Sequence, residues 1–144
     1  MKNLITDILS APMAPENWES VLDQFNRVFG FKSSCMLSYN ENFGQKANLS
    51  MSHFLREHLT QEILDYVHST EDDDAHTYRA LMQKPAQIFY TEDEVIMESS
   101  APEKELYSKS FMRNHLISIG LEDRLACKLN SSGPWMDCFV IHTE

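Results

Sequence analysis

Leu125, Cys127 and Leu129 alternate with Ala126 and Lys128, and after Ser131-Ser132-Gly133-Pro134 the alternation resumes with Met136, Cys138 and Val140 against Asp137 and Phe139. Period-two patterning on both sides of a short polar break predicts a β-hairpin. A four-residue loop sets Asn130 opposite Trp135. That register pairs Leu129 with Met136, Cys127 with Cys138 and Leu125 with Val140 on one apolar face, and Lys128 with Asp137 on the other.

Upstream the period changes. Trp18, Val21, Leu22, Phe25, Val28 and Phe29 fall at helical spacing with Glu19, Asp23 and Arg27 opposite, and Gly30 stands at the stop position. Leu4, Ile5, Ile8 and Leu9 form the edge of a short helix ended by Ala11–Pro15. Phe31–Asn40 reads as a strand, with Phe31, Ser33, Cys35, Leu37 and Tyr39 on one face and Ser34, Met36 and Ser38 on the other. Asn40–Asn48 is a polar turn or loop leading to a weaker element. Phe54, Leu55, Leu59, Ile63, Tyr66 and Val67 fit one or two helical pieces.

Thr70 before Glu71, Asp72 and Asp73 is a helix start, carrying Tyr78, Leu81 and Met82 and ended by Pro85. Gln87–Tyr90 is a candidate short strand. Thr91…Glu94 and Ser100…Glu103 are capping-box patterns, each opening a helix. The second helix runs over Pro102–His115 with Leu106, Tyr107, Ser110 and Phe111 on one side, and Gly120 separates it from the hairpin. The expectation is a single α+β domain over residues 1–144, an antiparallel sheet of about five strands with helices packed on it.

With 144 residues, 42% apolar, the chain is long enough for one packed core. A net charge of −10 and scattered Lys and Arg exclude nucleic-acid contact by this segment, since phosphate contact needs a basic face. No apolar run is long enough to span a bilayer, and Met1–Asp7 does not read as a signal peptide. Three cysteines, all in strand-like segments, point to a reducing compartment, hence the cytoplasm. Cys127 and Cys138, opposed in the expected register, are better read as packed thiols than as a redox pair.

Other candidate chemistry is thin. His53 and Glu57 at i, i+4 with His58 adjacent lack the further ligands a metal needs. Glu71–Asp74 has neither the alternation nor the glycine turn of a calcium loop. Four dispersed glycines make no phosphate cradle. No catalytic set, cofactor or metal is expected. An enzyme would need a cleft with paired titratable groups, and the His53–His58 region is the place to look. What remains is an aromatic set, from which Tyr39, Phe54, Tyr66, Tyr78, Phe89, Phe111 and Trp135 are the candidate ligand-binding residues: apolar bodies, several with polar tips, as small-molecule pockets use.

From Glu57 to Ile141 the chain resembles the N-terminal PAS/GAF-like sensory domains of LuxR-type helix-turn-helix transcription regulators. The resemblance rests on Trp18…Phe25…Phe29-Gly30-Phe31, on Leu64-Asp65-Tyr66 with Asp72–Asp74, and on Ser108–His115 followed by Gly120–Leu125 and the turn residue Gly133. It implies a small organic ligand held between helices and sheet, a homodimer, and a DNA-reading part that would follow Glu144. The lactone receptors of that group carry a Trp near their Asp and Tyr. Asp65-Tyr66 has none, so that ligand is not carried over. The alternative is a ligand-free dimerisation or protein-interaction module.

Overall fold

A computed structural model describes residues 18–69, 74–108 and 110–144. The expected helix at Leu4–Leu9 and the helix start at Thr70–Asp73 lie outside the described residues. The elements in chain order are α1 (Trp18–Phe29), β1 (Ser33–Asn40), β2 (Gln45–Met51), α2 (His53–His58), α3 (Gln61–Val67) and α4 (Ala75–Met82). They continue with β3 (Phe89–Thr91), α5 (Glu92–Ile96), α6 (Ala101–Ser108), α7 (Phe111–Ser118), β4 (Asp123–Ser132) and β5 (Trp135–Thr143). The five strands form one antiparallel sheet in the order β2-β1-β5-β4-β3.

The sheet has two unlike faces. Cys35, Leu37 and Tyr39 of β1 and Met136, Cys138 and Val140 of β5 lie on the inner face. Helices α2 to α7 cover them with Leu55, Ile63, Val67, Leu81, Val95 and Leu116 among others. The outer face carries α1, whose Phe25 meets Phe139 of β5 edge-on at 5.0 Å. Phe89 of β3 reaches the same Phe139 at 6.0 Å.

Local rules account for most boundaries. α1 ends where Gly30 turns to φ 75°, and the amides of Gly30 and Phe31 both donate to the Asn26 carbonyl. Both capping boxes form: Thr91 Oγ1 accepts from Glu94 N while Glu94 returns to Thr91 N, and Ser100 and Glu103 do the same.

Three expectations are corrected. First, Gln45–Met51 is a strand, and the polar turn covers only residues 41–44. Its pattern is hidden by a bulge: Ser38 pairs with Ala47 but Met36 with Ser50, and Asn48 between them sits at φ 53°. The extra residue shifts the side-chain phase, so Lys46, Leu49 and Met51 all face inward.

Second, the hairpin register differs. The turn is Gly133-Pro134, with Ser132 opposite Trp135, and Leu129 is left unpaired at a bulge. Beyond it Lys128 pairs with Cys138, Cys127 with Phe139 and Leu125 with Ile141. Cys127 and Cys138 therefore lie on opposite faces, and all three cysteines are free. The expected Lys128–Asp137 pair is absent. Lys128 turns inward and donates to the Met82 carbonyl, while Asp137 accepts from Ser38. Val140 stays in the core, whereas Leu125 moves to the outer face.

Third, the expected helix Pro102–His115 is two helices. Ser110, fully buried, caps α7 by accepting from Arg113 N. Ser110→Ala is expected to cost about 0.5–2 kcal/mol in a urea melt, and a loss below that range would mean that α7 does not depend on this cap.

Candidate functional site

A charge has no reason to leave water unless it is met, so the buried charges locate the site. Lys46 comes from β2 and Arg124 from β4, with β1 and β5 between them. Both reach Asp74, the residue before α4. Lys46 Nζ donates to Oδ2 at 3.0 Å, and Arg124 grips the carboxylate with Nη1 and Nη2, each at 2.8 Å. All three side chains are buried. Asp74 makes no side-chain capping bond to its helix, so its carboxylate serves the two cations. Burial alone would raise the Asp74 pKa, but Arg124 and Lys46 more than offset it and hold the carboxyl far below its usual range.

The cluster continues outward. Arg124 Nε also donates to Glu92, the first residue of α5, and Glu92 accepts from the Tyr107 hydroxyl of α6. Arg113 of α7 stands 3.7 Å from the same carboxylate. Inward, the Lys46 ammonium lies 4.6 Å above the Tyr78 ring, which stacks on Tyr39 at 6.1 Å.

Beside this cluster, between the inner face and helices α2, α3 and α7, lies a cavity. Its exposed walls are almost wholly apolar, among them Leu37, Leu49, Leu55, Leu59, Met112 and Leu116, and the buried Lys46, Asp74, Arg124 and His142 stand at one side of it. The space open to the centre of a water molecule is about 40 Å³, room for roughly three waters. An open groove of about 340 Å³ on α4 and α5 is larger, but exposed charged side chains such as Arg79 and Glu98 line it.

His142 of β5 is buried beside Arg124, its strand partner. Burial first, then the Arg124 charge, push its pKa down to about 3, so the ring is neutral near pH 7. Burial pushes the Cys35 thiol up to about 12 and raises Cys138 and Tyr78 as well. None of these four groups changes protonation near neutral pH.

The seven aromatic candidates do not converge. Tyr39 and Tyr78 are packed together in the core, and of the seven only Tyr78 lines the cavity. Tyr66 and Phe111 form an edge-on pair at 5.0 Å on the helical side, with Phe111 half-exposed. Phe54 stacks on His58 under Lys32. Phe89 is on the outer face, and Trp135 is exposed at the hairpin turn. His53 and Glu57 pair at 3.1 Å in solvent, and the described residues hold no cluster of His, Cys, Asp or Glu fit for a metal. Also among the described residues, no helix is long and apolar enough to cross a membrane.

The sequence pattern singles out none of Lys46, Arg124 and His142, and it brings in Asp74 only within the acidic run Glu71–Asp74. The available signal was charge in a strand interior: Arg124 shares a strand face with Ala126, and His142 follows Val140-Ile141. No family model, curated protein or solved structure matches the chain.

Proposed function

We propose that this domain is the small-molecule-sensing part of a cytoplasmic bacterial transcription regulator, with the ligand seated in the cavity between the inner sheet face and α2, α3 and α7. The observation that carries the reading is the lining of that cavity: apolar walls beside a cluster of buried polar groups, the chemistry small-molecule sites use, in a space that a ligand must widen by parting the short helices over it. The helices over it are short, six to eight residues each, so a ligand that favours one packing of them on the sheet shifts a population, and an attached DNA-binding module reads the shift. The domain itself neither touches DNA nor catalyses a reaction. Self-association through α1 fits the exposure of Val28 and Phe29.

The test is a melting-temperature screen against a metabolite library, run in parallel on Leu116→Trp, which fills the cavity. A ligand worth about 1 kcal/mol raises Tm by roughly 2–8 °C in the wild type, and Leu116→Trp abolishes the rise. A library that moves neither protein, or a rise that survives the filled cavity, ends the proposal. The second reading, a ligand-free interaction module, is favoured by the outer face, where Phe29 and Phe89 are both half-exposed.

A further inference from the structure

We propose that the outer face of the sheet is a docking site for the chain's own N-terminal segment, which lays Leu4, Ile5, Ile8 and Leu9 against Ile141 of β5 and Leu22 of α1. The inference is independent of the cavity and of any ligand.

α1 accounts for only part of the cover on the outer face. It lies over β1 and β2, and its Phe25 reaches across to Phe139. Beside it, Ile141 of β5 and Leu125 of β4 pair as one outward row. Ile141 and Leu22 are both almost wholly buried. Yet neither apolar cluster among the described residues takes in either side chain. Around them Val28, Phe29 and Phe89 are half-exposed. An apolar sheet face is stable only beneath another element, so this strip calls for a further covering piece.

The chain supplies one of the right kind in the right place. Seventeen residues precede Trp18, the first residue of α1. Leu4, Ile5, Ile8 and Leu9 make one apolar edge at helical spacing, with Asn3, Thr6 and Ser10 opposite. Pro12 and Pro15 stop that pattern before α1 begins, which is the layout of a helical hairpin whose two arms pack side by side. The reach suffices. Residues 10–17 span up to about 26 Å when extended, more than the roughly 18 Å of a twelve-residue helix such as α1. A second copy could also offer apolar surface, but only at its own concentration in solution. The tethered segment meets the strip at an effective concentration on the order of millimolar.

The experiment is methyl NMR on the full chain with isotope-labelled Ile and Leu methyl groups. The expected result is nuclear Overhauser contacts from the methyls of Ile141 and Leu22 to those of Ile5 and Ile8. In an equal mixture of labelled and unlabelled chains, an isotope filter should show no such contact between molecules. Melting gives a second readout. Ile8→Asp, on the apolar edge, should lower Tm by at least about 4 °C, and Thr6→Asp, on the polar edge, should move it by less than about 2 °C. Because the contacts are read in the wild type, a variant that fails to fold does not remove the test.

Contacts that pass the filter mean that a second copy covers the strip, and the inference falls. It falls equally if Ile141 and Leu22 touch none of Leu4, Ile5, Ile8 and Leu9, or if the two variants melt alike.

Discussion

Asp74→Ala is expected to lose about 3–5 kcal/mol of stability in urea denaturation at pH 7, because it strands Lys46 and Arg124 without their shared carboxylate in a buried site. The loss belongs to the ion pairs and not to the start of α4, since Asp74 makes no side-chain capping bond. The pH dependence follows from the same geometry. With its folded pKa held down by Arg124 and Lys46 against burial, Asp74 contributes fully above the ordinary carboxylate range. As the pH falls below about 4 the unfolded chain takes up this proton while the folded chain resists it, so the contribution drains away with acidification. The stability of the wild type should therefore fall more steeply between about pH 5 and 2 than that of Asp74→Ala. A loss under about 1 kcal/mol at neutral pH, the range of exposed pairs, would show that the three charges are solvated.

Tyr39 should give the second large effect, with opposite signs for two substitutions. Its side chain is fully buried against Tyr78, and its hydroxyl finds no hydrogen-bond partner among the described residues. Tyr39→Ala removes a whole core ring and should cost about 3–5 kcal/mol. Tyr39→Phe keeps the ring and deletes only an oxygen left unmet on burial, a defect of about 1–3 kcal/mol. The phenylalanine variant should be at least as stable as the wild type by thermal melting. A clear drop in its Tm would reveal a partner for the hydroxyl and return Tyr39 to the list of polar contacts.

How far the sequence could be read depended on how local the cause was. The helix α1 and its stop at Gly30 are local, and so are the boxes at Thr91 and Ser100, where side chain and amide stand three residues apart. Plain alternation in β1 also puts Cys35, Leu37 and Tyr39 on one face, as they are. Reading failed where one residue changed the phase. Asn48 hides β2 and Leu129 moves the hairpin pairing, because a bulge resets which side chains point inward without altering composition. Ser110 looked like a mid-helix position until its capping role was visible.

The site was hardest of all. Aromatic residues are large enough to dominate any sequence-based pocket, yet Phe89, Phe111 and Trp135 are partly in solvent. Arg124 and Asp74 are 50 positions apart, and a contact at that separation leaves no periodic trace in the chain. Charge inside a strand becomes meaningful only when its distant counter-charge is known.

Thr91 belongs to two elements at once: it pairs with Leu125 as the last residue of β3 and caps α5 with no loop between. Glu92, next in line, is fastened to Arg124. A three-residue edge strand would ordinarily fray, but this one cannot slide along β4 without uncapping a helix and pulling at the buried guanidinium. The sheet's border, the helix that follows it and the charged centre are thus tied to one another, so that displacing any one of them strains the other two.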